Sequence, residues 1–131
     1  MIIKYFELNK IDINKNNIIL LYGNNEGLKK QLTDKLTSDL DDIITYEEKE
    51  ILDNSNNFLE KILNKSLFSK EQIFIIKRAT DKIHKIIEEI NSKEMSDIII
   101  INSDNLDKKS KLRSFFEKDK KLICVPFYPD N

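Results

Sequence analysis

Five short runs of apolar, mostly branched residues punctuate this chain, at 18–22, 42–46, 72–77, 97–102 and 121–125, and each interval between them is long enough to hold a helix. The run Ile18-Ile19-Leu20-Leu21-Tyr22 has no polar alternation and stops at Gly23, the pattern of a strand buried on both faces. The intervals carry apolar stripes at helical spacing: Leu28, Leu32, Leu36 and Leu40, then Phe58, Leu59, Ile62 and Leu63, then Ile83, Ile86, Ile87 and Ile90, then Leu112, Phe115 and Phe116. A strand buried on both faces needs a layer above and below it, and strands joined by crossover helices run parallel. The alternation therefore predicts a three-layer α/β domain, a five-stranded mostly parallel sheet with four helices shared between its faces. Asp107 is the expected cap of the last helix, and Pro126 the expected end of the last strand. The first dozen residues, with Ile2, Ile3, Tyr5, Phe6, Leu8 and Ile11, fit neither period.

A length of 131 residues suits one such domain, so 1–131 is read as a single unit. The end Pro126-Phe127-Tyr128-Pro129-Asp130-Asn131 is turn-forming, and the natural chain is expected to continue beyond it. Lys plus Arg number 22 against 23 Asp plus Glu, a net charge of −1, so no whole-molecule field draws the chain to nucleic acid or to acidic membranes. A lone cysteine, Cys124, excludes an internal disulfide and a cysteine cluster for zinc; its apolar neighbours mark it as an inert core thiol. Charges interrupt the opening MIIKYFELNK, and no apolar run approaches the roughly 18 residues of a membrane span. A cytoplasmic protein without membrane contact is expected.

Chemistry in parallel α/β folds concentrates at the carboxyl ends of the strands, so the turn after the first strand is the place to look. It reads Gly23-Asn24-Asn25-Glu26-Gly27-Leu28-Lys29-Lys30. A phosphate loop of the form G-x-x-x-x-G-K-[ST] cradles phosphates with backbone amides, reaches them with lysine and holds magnesium with a hydroxyl. Gly23 and Lys29 match that form. Leu28 replaces the second glycine and Lys30 the hydroxyl residue, while Glu26 sets a negative charge where phosphate would lie. The third strand ends in Lys77 and Arg78 rather than in the carboxylate that metal-assisted hydrolysis needs. The loop is read as a degenerate phosphate loop, with no cofactor and no metal. A divergent nucleotide-dependent enzyme is the alternative.

Three segments in this order, ILLYGNNEGLKK, Ser66-Leu67-Phe68 just ahead of the third strand, and SDNLDKKSKLRSFFE after the fourth, resemble the delta subunit of the bacterial DNA polymerase III clamp loader. The resemblance runs from Ile18 across nearly the whole chain. It implies the amino-terminal, ATPase-like (AAA+) domain of that subunit, of P-loop NTPase-like architecture with sheet order 5-1-4-3-2 and without the lid and collar domains. It implies a non-catalytic part of a DNA-polymerising, nucleotidyltransferase complex that binds and opens the sliding clamp during DNA replication without binding ATP itself. The clamp-binding residues would be Leu67 and Phe68, with Ser66 beside them. The partners would be the sliding clamp (the beta subunit), the delta prime and tau/gamma loader subunits, and primed DNA through the whole complex.

From spacing alone, Leu67 and Phe68 fit two readings. An apolar pair between polar Asn64, Lys65, Ser66 and Ser69, Lys70, Glu71 can stand out into solvent, or tuck under the preceding helix to complete the core; the resemblance favours the first. His84 has no histidine or cysteine near it and reads as a surface helix residue. The basic run Lys108-Lys109-Ser110-Lys111-Leu112-Arg113, continued by Lys118, Lys120 and Lys121, is interrupted by Glu117 and Asp119 and reads as a solvated face rather than a DNA footprint. Glu47-Glu48-Lys49-Glu50 reads as a solvated turn. An α/β binding domain of another pathway would share this fold and owe nothing to Leu67 and Phe68.

Overall fold

The computed structural model describes residues 1–12, 16–38, 42–63, 72–93 and 97–127. Strands β1 (Ile18–Gly23), β2 (Ile43–Glu47), β3 (Ile73–Ala79), β4 (Ile98–Ser103) and β5 (Ile123–Phe127) alternate with helices α1 (Glu26–Leu36), α2 (Glu48–Asp53), α3 (Ser55–Leu63), α4 (His84–Asn91) and α5 (Lys111–Lys118). All strand pairs are parallel, in the order β2-β3-β4-β1-β5, which read from the other edge is the expected 5-1-4-3-2. β1 is an interior strand, paired on both sides: Leu20 lies between Ile101 of β4 and Cys124 of β5.

Each side of the sheet closes its own core. Ile19, Leu21, Ile100, Ile123 and Val125 meet Leu32 of α1, together with Ile3. On the other face Leu20, Tyr22, Phe74, Ile76, Ile99 and Ile101 meet Ile51 of α2, Phe58 and Ile62 of α3, Ile87 and Ile90 of α4, and Leu112 and Phe116 of α5. Ile19, Leu20 and Leu21 are wholly buried, and each such side chain contributes about 1.5–3 kcal/mol. The continuous apolar run of β1 is thus explained by two cores sharing one strand.

The structure departs from the sequence reading in particular places. Five helices rather than four appear among the described residues, because two short ones join β2 to β3. The supposed solvated turn at Glu47 is the first of them: Glu47 and Glu50 form a capping box that starts α2. Glu48 is 6% exposed, and its carboxylate accepts from Thr80 N at 2.6 Å and Thr80 Oγ1 at 2.8 Å, tying α2 to the end of β3. Charge runs give no warning of such a long-range partner. The cap of α5 is Ser110, not Asp107, whose carboxylate accepts from Lys109 N instead. Pro126 lies inside β5 rather than beyond it, because β5 pairs with β1 along one side, and proline needs no donor on an edge. The unassigned arm supplies the other side of β5 with a single bridge, Ile3 N to Cys124 O at 2.9 Å and Cys124 N to Met1 O at 3.0 Å. His84 is partly buried, its ring edge-on to Phe115 at 5.0 Å and its Nε2 3.2 Å from Glu88. Cys124 is buried, and burial pushes its thiol up to about 11. Among the described residues no helix is long and apolar enough to cross a membrane.

Candidate functional site

α1 covers one face of the sheet and α5 the other, so the connections leaving the adjacent strands β1 and β4 depart in opposite directions. The crevice at their carboxyl ends is where open α/β sheets bind ligands. Here it is closed by the chain itself. Lys29, wholly buried, donates from Nζ to Asn102 Oδ1 at 2.8 Å and to Ser103 O at 2.9 Å, and pairs with Glu26 Oε1 at 2.7 Å. Its ammonium is thus held by the tip of β4 and by the first turn of its own helix.

The backbone of the loop is engaged in the same way. Gly23 N donates to Asp104 O at 3.1 Å and Glu26 N to Asn24 O at 3.1 Å. Leu28 N donates to Asn25 Oδ1 and Lys29 N to Asn25 O, both at 3.1 Å, which makes Asn25 the cap of α1. Leu28 packs its side chain against the α1-side core. Lys30 faces solvent and pairs with Asp34 at 3.0 Å. Gly23 adopts φ +124 against β5, a demand of strand packing that a phosphate-binding role is not needed to explain. Asn102 and Ser103, which close the lysine's shell, were not singled out from sequence; the signal was the switch from Ile to Asn-Ser at the end of IIIINS.

At the end of β3 the register against β4 shifts between Ile76 and Ala79, and Arg78 takes φ +54. This bulge turns Ala79 into the core and leads Thr80 to Glu48, while Arg78 stands in solvent with Nε 3.2 Å from Glu47. Beyond the ends of β3 and β4 lies an open groove of about 410 Å3 lined by Thr80, Asp81, Lys82, Asn105, Leu106, Asp107 and Ser110. Asp81 belongs to its wall structurally: Oδ1 accepts from Ser110 Oγ at 2.5 Å and Leu112 N at 3.1 Å, fastening the start of α5. Burial opposes its ionisation, but these bonds and one from Lys111 N outweigh burial and hold the carboxyl below its ordinary range. A depressed folded value adds stability above the unfolded pKa of about 3.9 and loses it as pH falls through the folded value. Asp81→Asn is therefore expected to cost about 1 kcal/mol near neutral pH, the scale of a lost cap at a solvent-screened position. In urea denaturation the gap from wild type narrows in acid as the wild-type carboxylate protonates.

Arg113 of the basic run turns inward, over the Tyr22 ring at 5.2 Å, with Nη1 bonded to Leu106 O and Nε to Glu117. Lys108, Lys109, Lys111 and Lys118 remain exposed. Among the described residues no group of three or more His, Cys, Asp or Glu is placed to hold a metal. Ser66, Leu67 and Phe68 lie outside the described residues; the chain enters that segment from α3, whose Phe58 and Ile62 are in the core, and leaves it at Gln72.

No family model matches this chain, and no curated protein does. Among solved structures the fold is similar to that of the Bacillus subtilis DNA clamp loader delta protein (YqeN), with a TM-score of 0.66 and 13% sequence identity over 88% of this chain. The matched region is 39% of that protein's length. At this identity the likeness is one of fold.

Proposed function

We propose that this chain is the amino-terminal, AAA+-like domain of a clamp-loader delta subunit, a protein-binding module that grips and opens a sliding clamp during DNA replication and has no catalytic role of its own. The observation that carries the proposal is the likeness of fold to the Bacillus subtilis clamp loader delta protein. The engagement of Lys29 and of the Gly23–Lys29 amides within the protein supports a subunit that leaves nucleotide to its neighbours.

In this reading Leu67 and Phe68, with Ser66 beside them, insert into an apolar pocket of the clamp. An aromatic-plus-aliphatic anchor is the usual form of an interface hot spot, with about 2 kcal/mol or more lost per residue on truncation. A contact made better with the open ring than with the closed one shifts the clamp toward opening. ATP is then hydrolysed by the tau/gamma subunits, delta prime completes the loader, and primed DNA is met by the whole assembly. A cytoplasmic setting goes with that role.

Calorimetric titration of this chain with the sliding clamp of the same organism tests the proposal. Micromolar or tighter binding is expected, lost in the Leu67→Ala, Phe68→Ala double variant with its fold verified. Failure of the folded wild type to bind well above that range would reduce the likeness to one of fold and point to an α/β binding domain of another pathway.

A further inference from the structure

The two outer edges of the sheet are unlike. β5 carries Pro126 and is bridged on its outer side by Ile2, so little of it is left to pair. β2 ends the sheet at the other side, and among the described residues no strand pairs with its outer edge. Its run Ile43-Ile44-Thr45-Tyr46 is made of strand-forming residues and holds no proline, glycine or charge, the devices that keep an edge from pairing.

Which backbone groups face outward follows from the pairing with β3. Ile73 N donates to Asp42 O at 2.9 Å, in a register that sets Ile43 beside Ile73. Backbone groups alternate along a strand, so Asp42, Ile44 and Tyr46 turn theirs toward β3 while Ile43, Thr45 and Glu47 turn theirs outward. Glu47 N is already taken by Glu50 Oε1 at 3.1 Å, in the capping box of α2. Ile43 and Thr45 therefore present the amides and carbonyls of this edge. Both residues are exposed, Ile43 to 42%, and Thr45 stands beside Ile75 on the α1 side of the sheet.

We propose that β2 pairs with β2 of a second copy of this chain, antiparallel about a twofold axis normal to the sheet at Ile44, so that the two sheets become one. This axis sets Ile43 of each copy opposite Thr45 of the other, and each such pair exchanges both of its hydrogen bonds, so every outward group of the two residues is used. An axis at Thr45 would instead oppose Ile43 to Glu47, whose amide is occupied. Ile44 meets its own copy across the axis, and Ile43 gains the methyl of Thr45, a cross-strand pair of branched side chains. Charge fits the same register. Asp42, held through Oδ2 by Gln72 Nε2 at 2.9 Å, falls opposite Tyr46 of the second copy. Within each chain Lys61 Nζ lies 3.4 Å from the Tyr46 hydroxyl and 6.0 Å from the ring centre. Carboxylate and ammonium thus meet at both ends of the contact.

Sedimentation velocity of the chain tests the pairing. Contacts of this small kind are transient, so association is read between about 10 µM and 1 mM, where the mean mass is expected to climb from monomer toward dimer. Thr45→Pro removes an outward amide and no bond to β3, and is expected to keep the folded protein monomeric across that range. Asp42→Lys and Lys61→Glu each bring like charges together twice per dimer and are expected to weaken association about tenfold; the double variant, which reverses both charges, is expected to return to within about threefold of wild type. A folded wild type that stays monomeric throughout would overturn the proposal and leave the edge to a strand of another protein. A dimer indifferent to Thr45→Pro would place the contact elsewhere, and a double variant no stronger than the singles would reject the register; either overturns it. Should Thr45→Pro fail to fold, the charge variants decide alone, since Asp42 and Lys61 are exposed.

Discussion

Gly23→Val is expected to cost the fold more than about 4 kcal/mol, much of the total stability of a domain this size. A Cβ at position 23 would stand 2.0 Å from Phe127 O and 2.7 Å from Phe127 C, distances at which backbone must move, and φ there is +124. The neighbour cannot yield cheaply. Phe127 is 1% exposed in the α1-side core, its ring stacks on Tyr5 at 6.0 Å, and β5 is pinned on one side by β1 and on the other by the bridge from Ile2. Gly27 is the contrast within the same loop. A Cβ there meets only Asn25 Oδ1, at an ordinary 3.7 Å, so Gly27→Ala is expected to stabilise α1 by about 0.5–1 kcal/mol through helix propensity and reduced unfolded-state entropy. Urea and thermal denaturation of the two variants read both effects. A Gly23→Val protein as stable as wild type would mean that β1 and β5 do not meet in the register described.

The parts of this fold that announce themselves in sequence are those set by local pattern. Ile18 to Tyr22 is unbroken because both its faces are covered, and Ile83, Ile87 and Ile90 recur at helical spacing because one side of α4 and of the turn that leads into it meets the sheet. What the pattern hides is long-range polar pairing. Glu48 sits in an acidic run that looks solvated, and only the bulge at Arg78 brings Thr80 within its reach. Ser110 rather than Asp107 caps α5 because its Oγ accepts from Arg113 N at 3.2 Å, and the same hydroxyl donates to Asp81, 29 residues earlier, a partner that local pattern does not reveal. The same holds for the loop after β1. Its departures from a phosphate loop are visible residue by residue, but the partners of Lys29 belong to a strand 73 residues away and depend on β4 lying beside β1. Strand order is a global property that hydrophobic periodicity does not encode.

Those partners make Lys29 the position where a structural and a nucleotide-binding role diverge in experiment. Lys29→Ala is expected to destabilise the domain by about 3 kcal/mol, because it empties a site for a fully buried side chain and takes the charged donor from Asn102 Oδ1 and Ser103 O. Lys29→Met restores the aliphatic stem and isolates the polar part, for which about 1–2 kcal/mol is expected. Glu26 moderates both values: its side chain is 67% exposed, so it regains water when its partner goes. A lysine kept for phosphate would behave otherwise, since removing it would spare the apo fold and abolish the stabilisation that bound nucleotide confers. Denaturation of wild type and both variants with and without millimolar magnesium ATP separates the cases. Large losses of stability with no response to ATP in any of the three proteins are the outcome expected of a lysine that fastens α1 to β4. A wild type stabilised by ATP, beside a Lys29→Met variant that is equally stable without it and indifferent to it, would return the loop to phosphate binding and the chain to the nucleotide-dependent enzymes.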